Sequence, residues 1–252
     1  MVKNIKNSAR HNTEYGFPTD HCCSWKNSVF FFLISIFDSP LPKTQLAIKK
    51  QFWEVPKMAG KIIPRWEWRT FGENFGVSEE KIKAYELGNF KKSSEKYILS
   101  RNSNENCKVR DELMDIKSLQ QINDDKLEQW YPTLKEGFPL SQETIAKLCT
   151  EFFKVEVPAM TEEGYDFAAY IELCKSIEGL VVVDVYKERS IFVINDAVVE
   201  IAEVKFNGVP MRTICVEHAD PENVIGVVRM LGLENYPNVN YIQAMKKAVG
   251  LL

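Results

Sequence analysis

The sequence predicts an α+β protein built on an antiparallel β-barrel with a polar interior, helical insertions and a C-terminal helix. Three observations predict it. The stretch Arg65-Trp66-Glu67-Trp68-Arg69-Thr70-Phe71 alternates charge with aromatic bulk. On a strand, that alternation puts Arg65, Glu67 and Arg69 on one face and Trp66 and Trp68 on the other. The same alternation recurs in later segments, and Asn207-Gly208 between two apolar runs is the strongest hairpin signal in the chain. Long meandering strands with charge on one face and bulk on the other suit a barrel around a polar centre.

Composition bounds the function. The 252 residues suffice for one large domain or two small ones, and 45% apolar residues with 12% aromatics can bury a sizeable core. A net charge of −3 gives no global attraction to DNA or to a membrane surface, so an anion site must be a local concentration of Lys and Arg. The 6 cysteines contain no CxxC pair, which argues against a zinc ribbon and for reduced thiols in the cytoplasm. With only 3 histidines, a His-rich metal centre is excluded.

Residues 1–57 differ from the rest. They hold polar, irregular stretches and an apolar run at 29–37. That run is shorter than the ~20 residues needed to span a bilayer, so no stable membrane insertion is expected. No small-x-small cleavage site follows it. A peripheral anchor and a short buried strand are two readings. The pattern favours a third, an extension upstream of a natural start at Met58, with the organised domain over 58–252.

From there the elements follow in order. A first strand covers about 63–72. Ser78 caps a helix from Glu79 to Leu87, stopped at Gly88. Residues 97–100 form a second strand, and the polar run 102–106 a turn. Cys107 to Arg110 is a third strand and 113–117 a fourth, with a further strand around 127–130. Residues 141–177 read as helical: Ile145, Leu148, Cys149, Phe152 and Phe153 share a face, as do Phe167, Tyr170, Ile171 and Cys174. Strands return at 179–189 and 191–194, then at 198–206 and 211–217. Pro221 starts a helix that Gly232 stops, and 241–249 is a short closing helix.

Taking alternate positions, the interior would hold Arg65, Glu67, Arg69, Lys108, Arg110, Asp115, Lys117, Lys187, Arg189, Glu203, Lys205 and Glu217. Dry burial of so many charges would cost several kcal/mol per unpaired ion, about the range for effective desolvation. They must be hydrated, paired or occupied by a ligand. A polyanion chelated to a divalent metal satisfies both signs, since Lys and Arg hold phosphate oxygens and carboxylates hold Mg²⁺ or Mn²⁺. The alternative is that these are solvated outer faces.

The order of these elements over roughly residues 60–250 resembles the CYTH domain, or triphosphate tunnel metalloenzyme family. Arg65 to Arg69 stands where the family has Glu-x-Glu-x-Lys. Lys108-Val109-Arg110 and Asp115-Ile116-Lys117 are similar to its next motifs, and Lys187-Glu188-Arg189 to its second basic pair. Glu203, Gly208 and Cys215-Val216-Glu217 match its acidic hairpin and closing strand, and Tyr241-Ile242 its last helix.

The resemblance implies an eight-stranded tunnel that binds a triphosphate or polyphosphate with Mg²⁺ or Mn²⁺ and hydrolyses it. Glu67 and Glu217 would be catalytic, and with Glu203 would hold the metal. Arg65, Arg69, Lys108, Arg110, Lys117, Lys187, Arg189 and Lys205 would bind phosphates. Alternatives within it are a non-hydrolytic polyanion-binding module and an adenylate cyclase.

Three departures bear on the metal: Arg65 replaces a Glu, Arg69 a Lys, and Cys215 a Glu. Glu112 and Glu188 have the wrong parity and read as surface charges. His218 reads as exposed, and neither Cys107 nor Cys215 has a base placed to make it a nucleophile.

Overall fold

The computed structural model describes residues 57–58 and 61–252, with side chains from residue 63 onward. The expectations for the extension, including the apolar run at 29–37, lie outside the described residues. The eight barrel strands are β1 (Arg65–Gly72), β2 (Asn89–Ser100), β3 (Asn106–Arg110), β4 (Leu113–Ile122), β5 (Glu128–Gly137), β6 (Leu180–Ile194), β7 (Ala197–Phe206) and β8 (Val209–His218). They close in the order β6-β7-β8-β1-β5-β4-β3-β2, every ladder antiparallel. Two-residue ladders flank the barrel, one joining Lys57–Met58 to Lys61–Ile62 and one joining Leu140–Ser141 to Gly164–Tyr165.

The helices are α1 (Gly76–Lys83), α2 (Gln142–Lys147), α3 (Phe167–Ser176), α4 (Pro221–Leu231) and α5 (Tyr241–Ala248). A π-helical turn, Leu148–Phe153, continues α2, and left-handed Lys154 ends it. The helical stretch expected at 141–177 is therefore interrupted between Lys154 and Asp166. Helix α4 begins where its signals place it: Asp220 accepts a hydrogen bond from Glu222, Pro221 opens the first turn, and Gly232 closes it at φ +75°.

Three apolar layers organise the described residues. Outside one wall, Trp66, Trp68, Ile201, Ile214 and Val216 pack on Val224, Val227, Val228 and Leu231 of α4. Outside the opposite wall, Ile98, Cys107, Val109, Met114 and Ile116 pack on α2, the π-turn and α3. The third layer lies at one end of the interior. There Tyr97, Leu99, Val183, Val185, Ala202, Val204 and Phe206 receive Tyr241, Ile242, Ala244 and Met245 of α5. Half of the interior is thus apolar and filled by the C-terminal helix, which leaves the other half for charge.

Closure at β1–β5 spans only the pairs from Arg65↔Trp130 to Glu67↔Glu128. Beyond it the segment leading into α5 takes over the free edge: Arg69 N donates to Asn238 Oδ1, and Val239 N donates to Arg69 O. The C-terminal segment is therefore part of the wall as well as the filling.

Strands β2 and β6 run longer than the sequence suggests. Residues 89–96 are mostly polar, but β6 offers them a continuous 15-residue partner from Leu180 to Ile194. Ladder hydrogen bonds do not depend on side-chain polarity, so the strand extends past its apolar part.

Candidate functional site

The charged half of the interior is a cavity of about 130 Å³. Five cations (Arg69, Lys108, Lys117, Lys187, Arg189) and three carboxylates (Glu67, Glu200, Glu217) line it, with Tyr97, Asn106, Trp130, Asn240 and Tyr241. An adjoining cavity of about 90 Å³ shares Glu67, Lys117, Trp130 and Glu217 and adds Ile63, Arg65 and Pro132.

Register places each group. Glu67 pairs directly with Glu217 across β1–β8, and Arg69 pairs with Cys215. The ligating atoms of Glu67, Cys215 and Glu217 lie within 4.8 Å of one another. Arg69 Nε donates to Glu67 Oε1 at 2.8 Å, and its Nη1 reaches Glu200 Oε1 and Thr213 Oγ1 at 3.4 and 3.3 Å. Arg189 Nη1 stands 3.8 Å from Glu200 Oε2, so one carboxylate spaces two guanidinium groups. Arg65 Nη1 is 3.9 Å from Glu217 Oε2. Lys108 pairs with Asp115 at 3.5 Å. Lys187 Nζ pairs with Glu95 at 2.9 Å and donates to Tyr97 Oη at 2.8 Å.

Electrostatics separate the two facing glutamates. Burial pushes the Glu67 carboxyl up, but Arg69, together with Lys117 and Glu217, holds the group below its ordinary value. Burial and then the Glu67 charge push Glu217 up. Burial raises the Cys215 thiol well above its ordinary value, so it stays protonated, and its Sγ donates to Glu217 Oε1 at 3.6 Å. Burial lowers Lys187 to about 8. Burial raises Glu95, but Lys187 and then Lys108 bring it down to about 2.

The structure brings Glu67, Arg69, Lys108, Lys117, Lys187, Arg189 and Glu217 to one cavity, with Arg65 at the adjoining one. Arg110 lies off to the side, bound to Glu95 at 3.3 Å. Glu203 and Lys205, expected inside, are exposed on the outer face. Glu203 Oε1 accepts from Arg212 Nε at 2.6 Å. The reason is a change of environment halfway along β7. Val199 and Ile201 face out onto the α4 layer, but past them the outer face meets solvent, so Glu203 and Lys205 follow in the same parity. Ala202, Val204 and Phe206 face the α5 filling, and Glu200 is the carboxylate of that inward parity.

Glu200 escapes the sequence reading for this reason, being the lone charge among Val198, Ala202, Val204 and Phe206, whereas Glu95 lies before the strand expected at 97–100. The parity containing Tyr97 and Leu99 would have found Glu95, had the strand been extended back to it. Glu188 lies outside the cavity, paired with Lys92 at 3.0 Å.

The donor set fits a divalent cation through two carboxylates. Glu217, pushed up beside Glu67, marks a position where added positive charge is favourable. The protonated thiol of Cys215 adds no hard oxygen, so the remaining ligands would have to come from a bound anion or water.

No protein-family model matches the sequence, and no curated protein matches it. Among solved structures the chain is similar to a Hippeastrum protein described as an adenylyl cyclase candidate with a dominant triphosphatase activity. The match has 9% identity and a TM-score of 0.43, and covers 73% of this chain and 96% of that one. The PH1012 protein of Pyrococcus horikoshii matches at 20% identity and a TM-score of 0.41, over 71% of this chain and 97% of that one. A Bacillus halodurans protein described as an adenylate cyclase candidate matches at 14% identity and a TM-score of 0.39, over 71% and 95%.

Proposed function

We propose that this chain is a divergent triphosphate tunnel protein, which binds a triphosphate-containing compound with Mg²⁺ or Mn²⁺ in the charged half of its barrel and hydrolyses a phosphoanhydride bond. One observation carries the reading: five cations and three carboxylates converge on one cavity whose opposite end is filled by α5. The cavity lining holds more cations than carboxylates, and clustered cations call for an anion of high charge density.

Glu67 and Glu217 would hold the divalent ion, which supplies charge neutralisation and more acidic water when bound. The chain's own residues account for the rest. Lys108, Lys117, Lys187 and Arg189 neutralise the non-bridging oxygens and stabilise the charge that builds on them as the bridging P–O bond breaks. Arg69 is held in one orientation by Glu67, Glu200 and Thr213. Glu217, facing Glu67 across β1–β8 in the cavity, would orient the attacking water.

Binding without turnover is a second reading. It is favoured by Arg69 already occupying Glu67 Oε1 and by Cys215 in the acidic cluster. A screen of tripolyphosphate and nucleoside and thiamine triphosphates against Mg²⁺ and Mn²⁺ separates the two. Hydrolysis predicts orthophosphate release, reduced on the order of a hundredfold or more in Glu67→Gln and Glu217→Gln. Pyrophosphate with a cyclic nucleotide would indicate cyclase chemistry. No turnover in any combination would overturn the enzyme reading.

A further inference from the structure

The C-terminal helix contributes a group that the reading above leaves unused. Tyr241 is 7% exposed and lines the charged cavity. Its ring is stacked on Tyr97, with centroids 5.8 Å apart and planes 17° from parallel. Lys187 Nζ lies 4.3 Å and Arg69 Cζ 5.0 Å from the ring centroid. These contacts fix the ring, yet its buried hydroxyl has no hydrogen-bond partner among the described residues. Arg189 Nε, on the same cavity, is likewise buried and unpartnered. Arg69, Lys108 and Lys187 of this cavity are held by carboxylates, and Arg189 meets Glu200 through Nη1. A buried hydroxyl left without a partner is costly, and a donor on a residue that lines a cation-rich cavity is satisfied by an anion held there.

We infer that Tyr241 Oη is a phosphate-contacting group, donating with Arg189 Nε to the anion at the α5 end of the cavity. This inference rests on the proposed triphosphate site. It makes the docking of α5 part of ligand recognition, since the helix that fills the barrel also carries a donor for the ligand. Nothing in the sequence pattern marks the residue, because Tyr241 reads as the first apolar position of a closing helix.

The test is Tyr241→Phe in the full chain, which keeps the ring contacts and deletes the hydroxyl alone. Tripolyphosphate with Mn²⁺ is the titrant, read by calorimetry, and thermal unfolding is read without it. The expected result is an affinity lower by on the order of tenfold. The unliganded midpoint is unchanged or higher, because no protein hydrogen bond is lost. A lowered midpoint with unchanged affinity would assign the hydroxyl a structural role and overturn the inference. So would equal affinity with an equal midpoint. Absence of binding by the unmodified chain would instead refute the triphosphate site itself. Asn240→Ala, which removes the N-cap bond to Gln243 and the Asn240 Nδ2 donation to Glu128 Oε1, lowers the midpoint and so shows the stability loss expected when the start of α5 is loosened.

Discussion

Lys187 Nζ and Glu95 Oε2 lie 2.9 Å apart with both side chains buried, beneath the ring of Tyr241. The pair ties the apolar end of the barrel to its charged half. Its protonation sets a pH dependence of stability. Glu95 falls from 4.5 to about 2 on folding, so its contribution is fully present above 4.5 and is lost as pH falls towards 2. Lys187 falls from 10.5 to about 8, so between those values the unfolded chain binds more protons and stability from this group rises with pH. Urea unfolding from neutral pH down through the acid range should show a loss of stability that Glu95→Gln reduces. At pH 7 the same variant should be less stable by about 3–5 kcal/mol, because Lys187 loses its buried partner.

Anion affinity should depend on pH through the same lysine. Lys187 is protonated below about 8 and loses its charge above it. The dissociation constant for tripolyphosphate should therefore be flat from pH 6.5 to 7.5 and rise above pH 8. A constant value through pH 9.5 would remove Lys187 from the phosphate contacts.

The two faces of β7 give a direct contrast. Glu203→Gln and Lys205→Ala, on the outer face, should leave anion affinity within about twofold, as is usual for charges remote from a site. Glu200→Gln should change it by more than that, because Glu200 spaces Arg69 and Arg189 inside the cavity. Calorimetric titration of the three variants decides the orientation of the strand.

The outer layer should fail independently of the site. Trp68 is 4% exposed between β1 and α4. Trp68→Ala should cost about 3–5 kcal/mol of unfolding free energy. Thermal unfolding with and without tripolyphosphate would show a lower midpoint but a retained ligand-induced rise.

Much of the barrel was legible because charge and bulk alternate where one face meets helices and the other meets the cavity. Arg65 to Arg69 is such a stretch, with the cavity on one face and apolar packing on the other, and Lys187 and Arg189 also line the cavity. Legibility stopped where the environment changes along a strand. On β7 the inner face turns apolar at α5 and the outer face turns polar beyond α4, so Glu203 and Lys205 imitate lining residues while Glu200 imitates a core exception. On β2, polar residues from 89 to 96 carry no strand signal of their own, which hid Glu95. Tyr241 was visible as a helix residue but not as a donor, because its lack of a partner is a property of packing.

The central claim is that the cavity binds a triphosphate through its cations. Calorimetric titration of tripolyphosphate into the full chain, with and without Mn²⁺, tests it most directly, with Arg189→Ala and Lys108→Ala alongside. The account predicts one-to-one binding that Mn²⁺ strengthens and that each substitution weakens on the order of tenfold. No heat of binding under either condition, or binding indifferent to both substitutions, would contradict it.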